Sequence, residues 1–229
     1  MQSAVTLVLD TSASPLVLAV EKDGRVFSAR KKGIKQERLL FPLLQKVLTA
    51  AHAQLKDVQQ IFIIRGPGRF TGIRIALTFA SMMQLLNKSE VRGATIFEVL
   101  RAQVTAGRAY PRWKEQNPTG VLAVVLHAFR EEYFLQIFDS KHAGPQWLSR
   151  EELLAQLTEY ASPLFLAGTD KDFSPLEQLV GSAFVCAPYK ECCVQAKTLV
   201  RLSKDKRWAA QALEPLYLKP ARFELTVPK

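Results

Sequence analysis

One strand-to-helix junction restricts the fold of this chain more than any other feature. The apolar run at residues 61–64 leads through Arg65 into Gly66-Pro67-Gly68-Arg69-Phe70-Thr71-Gly72-Ile73-Arg74 and on into IALTFASMM. Pro67 presets φ and Gly68 admits positive φ, so residues 66–69 are predicted to form a type II turn with Pro and Gly at its centre. Thr71 stands where a hydroxyl caps a helix, and Ala76, Phe79, Ala80 and Met83 recur at i, i+3, i+4 and i+7, one buried helix face. Free N–H groups at such a helix start attract anions. The stretch has neither the Lys-Ser/Thr pair of a P-loop nor a GxGxxG pattern, so its glycines answer to backbone geometry as readily as to phosphate.

The chain has 229 residues and 48% hydrophobic content, enough for one large domain or two small ones with real cores. No apolar run reaches the roughly 18 residues that span a bilayer, and residues 1–10 lack the basic start and long apolar segment of a signal peptide. The expectation is a cytoplasmic protein without a membrane segment. Cys186, Cys192 and Cys193 form neither an even disulfide framework nor paired CxxC knuckles and read as reduced thiols. His52, His127 and His142 are scattered, with no i, i+4 pair, so no metal site is expected.

Net charge is +10, and residues 1–104 hold 15 Lys and Arg against 7 Asp and Glu, so the excess sits in the first half. Its densest part is Arg30, Lys31, Lys32, Lys35 and Arg38. Such a field steers an acidic partner or RNA, with Arg30, Lys31, Lys32 and Lys35 the nucleic-acid candidates; the alternative is a solvated face, because no aromatic side chain interleaves with the cluster.

Residues 6–10, 16–20 and 25–30 read as strands, with Asp23-Gly24 turning between the last two. Leu40, Leu43, Leu44, Val47, Leu48 and Ala51 then mark an amphipathic helix with Pro42 in its first turn. A strand at 61–65 and the helix after the glycine turn complete a β-β-β-α-β-α order. Residues 105–120 are polar, hold two Pro and two Gly, and form the best linker candidate. The second half repeats the theme with strands at 121–126, 133–139 and 146–148, a helix opened by the capping box Ser149/Glu152, and a strand at 164–167. A second box at Ser174/Glu177, a strand at 183–187 and a basic helix around 192–207 follow. The reading is an α/β protein of two duplicated halves, 1–104 and 105–229, with the C-terminal helix or tail folding back on the first.

Leu9-Asp10-Thr11-Ser12 at the end of the first strand, followed by a hairpin, resembles the ribonuclease H-like halves of the actin, Hsp70 and sugar-kinase (ASKHA) superfamily. Together with GPGRFTGIRIAL and Glu214-Pro215-Leu216-Tyr217-Leu218-Lys219, the chain resembles the bacterial TsaB family, also called YeaZ, over essentially its whole length. That resemblance implies two ribonuclease H-like lobes and a non-catalytic partner of a TsaD-like protein. Alongside a TsaE-like ATPase, such a pair makes N6-threonylcarbamoyladenosine at position 37 of tRNA. It also implies a homodimer that uses the same helical surface, and no cofactor. The chain departs from the family pattern at Arg69, where Ser is usual, at His127-Ala128-Phe129, where Asp-Ala-Arg is usual, and around Gln36 and Glu37, where a His is usual.

On this reading no residue is catalytic. Paired helical histidines for TsaD-like metal chemistry are missing from the sequence, and a kinase-like cleft would need a second acid and a second glycine loop, for which residues 166–170 are the only candidate. Asp10, Thr11, Ser12, Gly66 and Gly68 are read as a vestigial cleft, in which Asp10 either holds a magnesium-bound water or caps its own turn. Leu40, Leu44, Val47, Leu48, Ile73, Ala76, Ala80 and Met83 are assigned to the partner interface. The alternatives are a basic tRNA-binding subunit and a nucleotide-binding ASKHA enzyme.

Overall fold

A computed structural model describes residues 4–33, 36–140, 144–170, 174–209 and 212–219, and the chain divides into two compact units. The first comprises residues 1–99 and 194–216, the second 100–193 and 217–229. Each is a five-stranded mixed sheet flanked by helices. No helix among the described residues is long and apolar enough to cross a membrane.

In the first unit β1 (Val5–Asp10) is central, with β2 (Leu16–Lys22) and β3 (Arg25–Lys31) antiparallel on one side and β4 (Val58–Ile64) and β5 (Glu90–Ala94) parallel on the other, giving the order β3-β2-β1-β4-β5. Asp23 and Gly24 both take positive φ, the type I′ geometry that closes a two-residue hairpin. One face of this sheet, carrying Leu7, Leu9, Leu18 and Ile61, packs on α1 (Gln36–Ala50) and α2 (Phe70–Asn87). Helix α8 (Ala196–Ser203) packs on β1, β2 and β4, and none of its buried residues belongs to the α1–α2 core. It covers the opposite face.

The second unit repeats the plan. β6 (Val121–Phe129) lies between antiparallel β7 (Glu132–Ile137) with β8 (Gln146–Ser149) and parallel β9 (Leu164–Thr169) with β10 (Val185–Cys186), in the order β10-β9-β6-β7-β8. Helix α5 (Arg150–Thr158) starts at the expected capping box, in which Ser149 Oγ accepts from Glu152 N and the Glu152 carboxylate accepts from Ser149 N. The α/β class and the ribonuclease H-like plan of each half are as the sequence indicates.

Several local expectations fail for identifiable reasons. The polar stretch 105–120 contains α4 (Ala109–Gln116), following α3 (Ile96–Thr105); Trp113 is buried, with its ring centroid 5.2 Å from that of Phe165, and this anchor outweighs the polar composition. Helix α1 begins at Gln36, so Pro42 lies in its interior and not in its first turn. The second capping box does not form, because the four-residue α6 (Glu177–Val180) starts after Leu176, which makes no side-chain cap bond. The expected last strand shrinks to β10, and the basic helix is split into α7 (Tyr189–Cys192), α8 and a 3₁₀ turn at Lys206–Ala209.

Candidate interaction site

The residues assigned to a cleft do come together, and they spend their polar groups on one another. Asp10, only 1% exposed, accepts from Ser12 N at 2.9 Å and from Ser12 Oγ at 2.6 Å through the same oxygen, Oδ1. Burial pushes its carboxyl up to about 6, against the opposing pull of those two bonds. Thr11 Oγ1 donates to Gly72 O at 2.7 Å and Arg69 N–H donates to Ser12 O at 2.7 Å, so the end of β1 is laced to the glycine turn. A Cβ at Gly68 would stand 2.4 Å from Ser12 O, and one at Gly66 2.5 Å from Leu216 O. These glycines admit other parts of the chain's own backbone.

Leu216 N–H donates to Arg65 O at 2.8 Å and Arg65 Nη1 donates to Glu214 O at 3.1 Å. The C-terminal Glu-Pro-Leu segment is thereby tied to the same turn. Two corrections follow. Gly68 has φ 159°, far from the +80° or so of a type II turn, and α2 starts at Phe70 with Arg69 as a cap that makes no side-chain bond, so Thr71 lies inside the helix and does not cap it.

The apolar stripe assigned to the interface is placed otherwise by the fold. Leu40, Leu44 (3% exposed), Val47, Leu48, Ala76, Ala80 and Met83 are buried in the first unit's own core, and Ile73 is buried too. Helical periodicity marks the face that packs on the sheet, and here that face is the core. The surface between α1 and α2 is made mostly by residues off the stripe, with Leu40 and Phe79 the buried-face residues that reach it. Phe41 (57% exposed) and Phe70 (56% exposed) border an open groove of about 420 Å³, floored by Phe79 and Met82 and rimmed by Arg74 and Thr78. Phe41 meets Phe79 edge-on at 6.4 Å, and the Arg74 guanidinium lies 5.3 Å from the Phe70 ring. The available signal was the phenylalanine pair, large apolar residues outside the buried period.

Arg30, Lys31 and Lys32 are exposed, the first two on the edge strand β3, and Lys35 lies outside the described residues. The position in β6 that corresponds to Asp10 is filled by the segment His127-Ala128-Phe129. His127 Nε2 is 2.7 Å from Arg130 O and its ring meets Tyr133 edge-on at 5.5 Å, while Tyr133 Oη donates to Asp170 Oδ1 at 2.6 Å. Cys192 is buried, its thiol pushed up to about 11 by desolvation; its Sγ accepts from Gly168 N and donates to Ala187 O. Among the described residues no three His, Cys, Asp or Glu side chains are grouped to hold a metal.

With this geometry in hand, relatives are informative. The family model "TsaD: tRNA N6-adenosine threonylcarbamoyltransferase" matches residues 34–136. The chain is 30% identical over 116 residues to the tRNA threonylcarbamoyladenosine biosynthesis protein TsaB of Buchnera aphidicola subsp. Schizaphis graminum, covering 50% of this chain and 53% of that one. It therefore spans about half the length of that relative. It is 22% identical to the TsaB of Bacillus subtilis over 95% of both chains. In solved structures it is similar to YeaZ from Pseudomonas aeruginosa, with a TM-score of 0.67 and 22% identity over 94% of this chain and all of that one, a likeness of fold.

Proposed function

The chain belongs to the TsaB (YeaZ) family, and from that premise we propose that it serves tRNA threonylcarbamoyladenosine biosynthesis as a non-catalytic scaffold that binds and activates a TsaD-like transferase. The observation that carries the reading is the open α1–α2 groove with its two exposed phenylalanines. Isolated exposed leucines are ordinary on a protein surface, but a groove bordered by two large aromatic side chains has the composition of an interface centre. The same surface would hold a second copy of the chain when the transferase is absent. A TsaE-like ATPase joins the assembled pair, and tRNA is met by the complex.

The non-catalytic part of the reading is supported by the state of the cleft. Asp10 Oδ1 is taken twice by Ser12, and the glycine turn is packed against Ser12 and Leu216. An enzyme of this architecture would need those groups turned toward substrate.

Thr78→Arg tests the proposal without touching the core, since Thr78 is an exposed residue of the groove rim. The variant should melt as the wild type does, while its binding to the TsaD-like partner, read by sedimentation, weakens by about 100-fold or more, as expected of a charge placed in an apolar interface centre. Threonylcarbamoyl transfer to tRNA should fall with it. Full complex formation and full activity by folded Thr78→Arg protein would refute the groove as the docking site.

A further inference from the structure

We infer that the exposed face of α8 and the turn after it form a phosphate-backbone contact for RNA, separate from the α1–α2 groove. Lys197 and Arg201 fall at i and i+4 on α8, Lys204 caps its C-terminal end at i+7, all three are exposed, and Lys206 and Arg207 continue the exposed basic run in the following 3₁₀ turn. Residues 196–209 hold five Lys and Arg against the single acid Asp205. Two of the five meet acids, Lys204 with Glu21 at 3.8 Å and Arg207 with Asp205 at 2.8 Å.

The edge strand adds to the same side. The Lys204–Glu21 pair puts Glu21 on the α8 face of the sheet, and strand alternation places Val17 on that face as well. Val17 is the register partner of Arg30, so Arg30 also projects there. α1 and α2 occupy the other face. A protein seated in the groove therefore leaves this surface open to a second ligand.

The chemistry favours nucleic acid over an acidic protein. The apolar residues of α8, Leu199, Val200 and Leu202, are all buried beneath it, and its exposed side chains are basic. A protein partner would find no apolar centre to bury, whereas a phosphate backbone asks only for cations along a ridge. No base-reading group is offered, so the contact positions an RNA and does not select its sequence. The inference takes tRNA as its probe from the proposed function and otherwise rests on α8, the turn after it and the edge strand β3.

The test measures fluorescence anisotropy of unmodified tRNA with the full chain, alone and assembled with the TsaD-like partner, across a salt series. The triple variant Lys197→Glu/Arg201→Glu/Lys206→Glu leaves the Lys204 pair intact. It should bind tRNA at least 10-fold more weakly near 100 mM salt and show a slope of log K against log salt shallower by about 2 to 3. Lys197→Gln with Lys206→Gln, a milder change should the reversals disturb folding, should flatten the slope by about 1 to 2. Partner binding should be unchanged in both. Unchanged affinity and slope would overturn the inference, as would polyglutamate displacing tRNA at equal charge concentration. Failure of the wild-type chain to bind any transferase would strike the proposed function, while the salt slope of the chain alone would still decide this point.

Discussion

The two units share a strand order and differ in what is hung on it. In the first, the crossovers around the sheet are α1 and α2, of 15 and 18 residues; at the corresponding places the second has α5 and α6, of 9 and 4 residues. β1 ends in a buried aspartate laced to a glycine turn, whereas β6 ends in His127-Ala128-Phe129, with Phe129 49% exposed under the Arg130 and Lys219 side chains. The sheets match in strand order where the helices differ in length. In the first unit the two long helices α1 and α2 border the groove that exposes Phe41 and Phe70, whereas the second unit's pocket, lined by Trp113, Tyr160 and Phe184, lies beside the shorter α4 and α5. On the proposed reading, this difference puts the docking surface in the first unit.

Predictions that probe this contrast range from backbone to cap. Gly168, at the end of β9, has φ 132°, and a Cβ there would lie 1.7 Å from Val125 O. Gly168→Ala should lose on the order of 4 kcal/mol in chemical denaturation, by steric conflict and left-handed strain together. A loss under about 1 kcal/mol would mean that β6 and β9 separate easily and that the second sheet is looser than the first. Leu44→Ala in α1 should cost about 3 kcal/mol, as a core truncation does, and leave partner affinity per folded molecule unaltered. Should affinity collapse while stability holds, the stripe would be interface after all.

Asp10→Asn probes the buried carboxyl. Its folded value, raised to about 6, exceeds its unfolded value near 3.8, so between those pH values the native state holds a proton that the unfolded chain has released. Its contribution to stability is full below the unfolded value and declines as pH rises through the folded one. Relative to Asp10→Asn, the wild type should therefore lose about 2 kcal/mol between pH 4 and pH 7, with melting of both proteins compared at each pH. Parallel pH curves would mean that the carboxyl is better solvated than its burial implies. The smallest effect is expected at Ser149→Ala, where loss of the α5 cap should cost about 1 kcal/mol in thermal unfolding.

Apart from β5, where Arg92 and Gly93 break the apolar run, and the shortened β10, the strands of both sheets were legible because alternation and β-rich runs record burial directly, and the Asp23-Gly24 hairpin because its residues tolerate positive φ. The capping box at Ser149 was legible for the same local reason. What stayed hidden depended on distant partners. Helix α4 forms because Trp113 finds Phe165, far along the chain. The glycine turn is shaped by Ser12 and Leu216, about 55 and 150 residues away in sequence, which no local turn rule contains. At the site, periodicity found the buried face of α1 and α2 and so identified what those helices keep to themselves. The groove lies at the edge of that face, where Leu40 and Phe79 meet Phe41, Phe70 and other side chains that the period skips.

The central claim, that the first unit docks the transferase and the second does not, is tested most directly by pairing two exposed phenylalanines. Phe41→Glu and Phe129→Glu are each titrated against the TsaD-like partner, with transfer to tRNA scored in the same reactions. The account predicts that Phe41→Glu folds but neither binds nor stimulates, while Phe129→Glu does both at wild-type level. Wild-type behaviour from Phe41→Glu, or loss of partner binding from Phe129→Glu alone, would contradict it.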